Sequence, residues 1–405
     1  MSLESRPDGD KYALSDLRVI DCSDDMPGAY CTKLLADFGA GVIKVEPPGM
    51  GDAIRGLGPF PVGAPDLDAG GIFIYLNTNK RSITLNLETP TGKDLFLELV
   101  AGADVVVESY PPGAMDRLGL SFEELERVRP GVILTSITPF GQSGPWRDYQ
   151  ATDIVESAVS GLSYVNGLPE REPLKAPGSQ TYYHGGTCGF MGTMTAVCYR
   201  DVSGLGQHVD VSLMEAAASV FGVQILSAQH SGRSPGRRGA GNPAGLLPCK
   251  DGYVALNIRN ELTWQHMWLF FGDPDMADDP RFSSVVERRR HGEELEAILA
   301  PTLARYTMEE LLHGLGPLRI LVGMNLEMDR LVADPHLQER GAFVESEHPV
   351  AGPVVIPGPP FRLSETPWSL RAPAPLLGQH NEEVYTQVLG YDTKDIAEWQ
   401  AEGVV

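Results

Sequence analysis

Positive charge is scarce in this 405-residue chain: 32 Lys and Arg stand against 54 Asp and Glu, for a formal net charge of −22. Nucleic-acid phosphates and anionic membrane surfaces both need a basic footprint, so neither is an expected partner. An anionic ligand would need a local basic pocket, for which Lys80-Arg81 and the group Arg233, Arg237 and Arg238 are available. Cysteine is sparse too. Cys22, Cys31, Cys188, Cys198 and Cys249 are odd in number and widely separated, which suits free thiols in a reducing compartment, hence a cytoplasmic protein. No run approaches the roughly twenty apolar residues of a membrane span. The polar segment 1–16 lacks the apolar core of a signal peptide and reads as a disordered tail. Three chemistries lack their motifs as well. There is no P-loop, no Gly-x-Gly-x-x-Gly after the first strand and no Gly-x-Ser-x-Gly between a strand and a helix, the one string of that spacing, Gly232 to Gly236, falling in a Gly/Arg/Pro-rich segment, and the nine histidines are scattered with no metal-ligand spacing.

What the chain does contain is apolar residues, 42% of the total, over a length that exceeds a single core and implies two domains. Leu17 to Cys22 alternates as a strand, Met26-Pro-Gly-Ala29 opens a helix closing at Gly39, and Gly41 to Glu46 is a second strand, which makes a βαβ unit. The alternation continues through strands at Arg81–Leu87, Asp104–Glu108 and Val132–Ile137 with helices at Thr91–Val100 and Ser121–Val128. This is the pattern of an open α/β sheet with ligands at the carboxyl ends of its strands. The Gly/Arg/Pro-rich segment 231–243 marks a boundary. The expected organisation is therefore a large α/β domain over 17–230, a linker over 231–243, a small α+β domain over 244–332, and a proline-rich return strap over 333–405 that completes the large domain.

One stretch stands out, Ala176 to Arg200, in which a Pro/Gly-opened loop delivers Tyr182, Tyr183 and His184 to a glycine-rich helix start. Free backbone N–H groups at such a start favour negative charge. Gly185, Gly186, Gly189 and Gly192 equally suit close helix packing. Lys80 and Arg81, just ahead of a strand, could pair with phosphate or form a solvated strand end.

The order of short phrases carries more than any one of them. Leu35-Ala-Asp-Phe-Gly-Ala-Gly-Val-Ile-Lys-Val-Glu-Pro47, Asn77 to Leu87, Leu118-Gly-Leu120, Gly141-Gln-Ser-Gly-Pro145, Gly206-Gln-His-Val-Asp-Val-Ser-Leu213, Asp334 to Phe343, Pro360 to Ser364 and Pro375 to His380 together resemble the family III CoA transferases. That group includes formyl-CoA transferase and α-methylacyl-CoA racemase. The resemblance runs from about Leu14 to Val404. It implies an interlocked homodimer with a Rossmann-like large domain, acting on an acyl-CoA thioester with no cofactor beyond CoA itself. It also implies that CoA lies near Pro27, Gly28 and Ala29, approached by Arg55, Lys80 and Arg81.

The resemblance points equally to a departure. The aspartate that carries the acyl group in the transferases falls at Tyr182, with Thr181 before it, and the racemase histidine falls at Thr152. The arginine of the family's Asn-Phe-Arg-Pro-Gly phrase is replaced by Pro111. A phenol with an ordinary pKa of about 10 is no substitute for a carboxylate nucleophile, but it can serve as acid or oxyanion donor. His184 and Asp153 are the candidate bases, Gly185 and Gly186 candidate oxyanion N–H donors, and Glu261 matches a racemase glutamate loosely. The expectation is chemistry at the acyl α- or β-carbon in place of CoA transfer. A transferase with another nucleophile or a ternary route, and a catalytically silent CoA-thioester-binding dimer, remain as alternatives.

Overall fold

The computed structural model describes residues 12–61, 65–234, 236–237, 244–258 and 260–405. Much of the expected tail and linker, including Arg238, lies outside them. The chain divides into two compact units, one of 1–166, 174–235 and 341–405 and the other of 167–173 and 236–340.

The first unit is built on a six-stranded parallel sheet in the order β3-β2-β1-β4-β5-β6. Its strands are β1 (Arg18–Cys22), β2 (Gly41–Glu46), β3 (Lys80–Thr84), β4 (Val105–Glu108), β5 (Ile133–Thr138) and β6 (His208–Ser212). The intervening helices are α1 (Met26–Asp37), α2 (Gly71–Leu76), α3 (Pro90–Ala101), α4 (Ala114–Leu118), α5 (Phe122–Val128), α6 (Asp153–Val159), α7 (Leu162–Val165), α8 (Gln180–Ser203) and α9 (Leu213–Ser219). Successive strand residues point to opposite faces, and both faces are covered. On one, Ile20, Ile43, Ile83, Val106 and Leu134 pack against Phe96 and Leu99 of α3 and Leu125 of α5. On the other, Val19, Val42, Val105 and Ile133 pack against Leu35 of α1 and Val197 of α8. Each such fully buried side chain contributes roughly 1.5–3 kcal/mol.

Glycines set how closely α8 can lie. A Cβ on Gly185 would fall 2.0 Å from Leu213 Cδ2, on Gly186 2.6 Å from the Pro27 carbonyl oxygen, and on Gly189 2.6 Å from Ile137 Cδ1. The glycine run thus seats α8 against α1, β5 and α9.

The remainder departs from expectation in places. Residues 12–16 are ordered: Tyr12 hydrogen-bonds Ser369 at 2.9 Å, and Leu14 N–H donates to the Phe38 carbonyl. The second unit extends to Arg340, beyond Val332, and takes in 167–173. It has an antiparallel sheet of β7 (Ala244–Cys249), β8 (Gly252–Asn257) and β9 (Leu321–Met324). Its core is formed by Trp264, Trp268, Phe271, Phe282 and Leu299. The return segment contains a hairpin, β10 (Phe343–His348) with β11 (Gly352–Pro357), and a closing helix, Thr393–Ala401. Its prolines taken alone suggest an extended strap.

The glycine contacts yield a stability prediction. Gly186→Ala, which meets backbone that cannot rotate away, should cost about 1–3 kcal/mol in urea unfolding. Gly222→Ala, with nothing within 4 Å, should change stability by less than about 0.5 kcal/mol.

Candidate active site

The strand order reverses between β1 and β4, and in open α/β sheets ligands bind beside the carboxyl ends of strands at such a point. β1 leads there into Ser23-Asp24-Asp25 and the first turn of α1. Asp25 is the N-cap of that helix, its Oδ1 accepting the Gly28 N–H at 3.0 Å. An N-cap carboxylate is usually favoured as the anion, yet here burial pushes the carboxyl up to about 8, with Asp52 adding to the rise and the Gly28 N–H opposing it. Asp25 is therefore mostly protonated at neutral pH.

The first turn of α8 stands beside it. Tyr182 is half-buried, and its hydroxyl oxygen accepts the backbone N–H of Asp153 at 3.1 Å. Burial raises its phenol to about 12, and the nearby carboxyls of Glu156 and Asp25 add to that. The phenol stays protonated and, with a lone pair already occupied, keeps its own O–H available to donate.

Asp153 connects two helix starts. It opens α6, and its Oδ1 accepts from Thr181 N–H at 3.1 Å and Thr181 Oγ1 at 2.6 Å, while Lys175 ion-pairs with Oδ2. Lys175 also donates to the Ala176 and Gly178 carbonyls, which fixes the loop entering α8. One turn along α6, Glu156 is fully buried, with Oε2 2.7 Å from Thr181 Oγ1 and Oε1 without a partner. Burial raises its carboxyl to about 7, aided by Asp153 and opposed by Thr181.

Several residues singled out in the sequence stand elsewhere or are already engaged. The helix starts at Gln180, so Gly185 and Gly186 lie in its second turn, where N–H groups serve the helix itself and cannot form an oxyanion hole. His184 is two residues from Tyr182 on the same helix, a spacing that turns the side chains to different faces. Its Nε2 is buried without a hydrogen-bond partner. Pro27, Gly28 and Ala29 are buried, with the Pro27 carbonyl against Gly186 of α8 and the Gly28 N–H capped by Asp25. Arg55 is fully buried: Glu46 takes Nε at 2.6 Å and Nη2 at 2.9 Å, Asp68 takes Nη1 at 2.7 Å, and Phe73 lies beneath the guanidinium. Lys80 is buried as well, donating to Asp21, Thr32, Asn77 and the Ala29 carbonyl. Arg81 alone of these cations keeps a partly exposed side chain, paired with Glu383 at 3.1 Å. Glu261 belongs to the second unit, where its carboxylate pairs with both terminal nitrogens of buried Arg288 at 3.0 Å.

Asp25 and Glu156 were missed. Asp25 had a usable signal, a cap residue two positions before a proline, but its burial is a tertiary property. Glu156 stands three residues after Asp153 and shares its helix face. A cavity of about 300 Å³ opens farther along the sheet, lined by Glu108, Ser136, Gln142, Arg147 and His208 among others. Ser136 Oγ lies 2.8 Å from His208 Nε2 there. Among the described residues no group of three or more His, Cys, Asp or Glu is placed to hold a metal ion.

A Rossmann-type sheet with protonatable groups gathered at its switch point is the architecture of an enzyme, and comparison with known proteins supplies its class. The model of CoA-transferase family III matches residues 14–381, and the chain belongs to that family. It is 32% identical over 399 residues to a succinyl-CoA–D-citramalate CoA-transferase of Chloroflexus aurantiacus, covering 97% of this chain and 98% of the relative. It is 31% identical to human succinyl-CoA:glutarate CoA-transferase (97% and 90% covered) and 31% identical to a formyl-CoA:oxalate CoA-transferase of Rhodopseudomonas palustris (97% of each). The crystal structure of a CAIB/BAIF family protein from Brucella suis superimposes with a TM-score of 0.85 at 29% identity, over 93% of this chain and 99% of that one. The protein is thus an enzyme of the acyl-CoA transferase family.

The raised Asp25 carboxyl has a consequence for stability. Between its unfolded value near 4 and its folded value near 8, the native state holds a proton that the unfolded chain releases, so this group lowers stability as pH rises through that window. Asp25→Asn keeps a capping side chain. Urea titrations from pH 4 to pH 8.5 should show the variant gaining on the wild-type protein by at least about 1 kcal/mol toward the alkaline end.

Proposed function

We propose that this enzyme moves CoA from an acyl-CoA thioester to a free carboxylic acid by a direct, ternary route, with the Tyr182 phenol as hydrogen-bond donor to the developing oxyanion. The observation that carries the reading is the Tyr182 hydroxyl itself, which accepts the Asp153 N–H and keeps its own proton. The resemblance to the transferases places Tyr182 where those enzymes carry their acyl-accepting aspartate, so the attacking carboxylate must come from elsewhere. Asp25 and Glu156, mostly neutral or half so near pH 7, are poorly suited to attack, and they leave little negative charge to repel an anionic acceptor. The acceptor's carboxylate oxygen attacks the thioester carbon. A C–O bond forms, the C–S bond breaks, and CoA leaves as thiolate. The thiolate then adds to the acceptor-derived carbonyl of the mixed anhydride and expels the original acid as its carboxylate, with no water consumed.

The relatives' names support transfer and suggest the substrates to try: succinyl-CoA with D-citramalate or glutarate, and formyl-CoA with oxalate. Chemistry at the α-carbon, expected from the missing aspartate, has less support. It needs a base beside Tyr182, and Asp153 is tied to Lys175 and Thr181, Asp25 and Glu156 hold protons for much or all of the neutral range, and His184 is turned to another face of α8. The homodimer and the cytoplasmic location belong to the same proposal, the first resting on the family resemblance and the second on the odd number and wide separation of the cysteines.

Chromatography of CoA esters after incubation with these pairs tests the reading. The expected result is transfer with sequential kinetics and no CoA or acyl adduct on the intact protein. Tyr182→Phe should lower kcat roughly 100-fold, the usual loss of one oxyanion donor, with the KM for acyl-CoA little changed. Ping-pong kinetics with a trapped adduct would replace the ternary route by an enzyme nucleophile. Exchange of the α-proton in heavy water without transfer would restore the isomerase reading, and binding without turnover would leave a silent thioester-binding protein.

A further inference from the structure

We infer that Glu156 is a positioning residue that donates a proton to Thr181 Oγ1, so that Thr181 donates its own to Asp153 and the Asp153 N–H is held on the Tyr182 hydroxyl. The inference deepens the transfer reading and rests on its use of Tyr182. It follows from counting protons. Thr181 Oγ1 lies 2.6 Å from Asp153 Oδ1 and 2.7 Å from Glu156 Oε2, yet a hydroxyl has one proton and can donate to only one carboxylate. The other contact requires a protonated acid.

The surroundings decide which acid that is. Asp153 has an ammonium on Oδ2 and a backbone N–H on Oδ1, so both of its oxygens already accept from donors. Among the described residues Glu156 meets no cation and no N–H donor and has a bare Oε1, all within a fully buried site. An isolated buried anion there would be far costlier than a neutral acid. The chain therefore runs from Glu156 carboxyl to Thr181 hydroxyl to Asp153 carboxylate, anchored by Lys175. Its upward-shifted carboxyl agrees with this assignment.

The chain matters because Asp153 does two things at once. Its carboxylate grips the Thr181 backbone at the start of α8, and its backbone N–H occupies a lone pair of Tyr182 on the same turn. Fixing Thr181 fixes the spacing of both contacts. Without the Glu156 proton, the Thr181 hydroxyl would be drawn between two anions and the Asp153 contact would weaken. The other titratable groups on the elements around Glu156 are Asp153 on its own helix, Tyr164 on α7, Tyr182, Tyr183, His184, Cys188, Cys198, Tyr199, Arg200 and Asp201 on α8, Glu215 on α9 and Lys175 in the loop.

Two variants and one spectrum test this. Glu156→Gln retains an N–H to donate to Thr181 and should keep kcat within about threefold, whereas Glu156→Leu should lose at least about tenfold in kcat at unchanged KM, the equivalent of one buried hydrogen bond. Infrared spectra should contain a carboxylic-acid C=O band on the acid side of neutrality that is absent from Glu156→Gln and fades as pH rises past neutral. A Glu156→Gln enzyme as impaired as Tyr182→Phe, or a spectrum without that band, overturns the inference and makes Glu156 an anion. The infrared result does not depend on turnover, so it decides the point even if Glu156→Leu fails to fold. It also separates this inference from the transfer reading, which fails if no acyl-CoA and acid pair is converted.

Discussion

The hydrogen bonds of Asp153 are the joint on which the site depends. Two helices, α6 and α8, begin within reach of each other, and each leaves unpaired N–H groups at its first turn. One aspartate satisfies the Thr181 N–H with its carboxylate and delivers its own N–H to Tyr182. The phenol is thereby fixed by the backbone of one helix while standing on the other. That α8 can come so close follows from Gly185, Gly186 and Gly189, each of which would collide with a neighbour if it carried a Cβ. The glycine-rich run of α8, for which the sequence allows either an anion-favouring helix start or close packing, is thus a packing surface, and Tyr182 stands one turn earlier.

The electrostatics point in one direction. Asp25, Glu156 and Tyr182 all bind protons more tightly than they would in water, with burial as the main cause. A site built this way receives negative charge better than it supplies it. That suits an incoming carboxylate and a thioester oxyanion, the two species that the proposed ternary transfer brings to it. Beneath the site, burial of the basic residues works differently. Asp21 is held well below the usual carboxylate range because Lys44 and Lys80 outweigh the cost of its burial, and these ions brace the ends of β1, β2 and β3.

The sheet was legible because its signals are local. Val105-Val-Val-Glu108 and the alternation in Gly41–Glu46 are visible in a few residues, and the family phrases fixed their order. The fates of Arg55 and Lys80 were not legible for the opposite reason. Basic side chains are usually exposed, and the acids that neutralise these two lie 9, 13 and 59 residues away in the chain, at Glu46, Asp68 and Asp21. The hairpin at Phe343–Pro357 was hidden because its prolines suggested an extended strap, although Pro353 and Pro357 are accommodated in a two-stranded ladder. Tyr182 stands out in the sequence through the stretch Ala176–Arg200 and the family resemblance, whereas Glu156 requires three dimensions, since only burial distinguishes it from any other glutamate on a helix.

The central claim is that the Tyr182 hydroxyl polarises the thioester carbonyl. Infrared difference spectroscopy of an unreactive acyl-CoA analogue, isotopically labelled at the thioester carbonyl and bound to the wild-type protein and to Tyr182→Phe, tests it most directly. The account predicts a carbonyl band shifted to lower frequency in the wild-type complex and returned toward its solution position in the variant. An identical band in both complexes would contradict it.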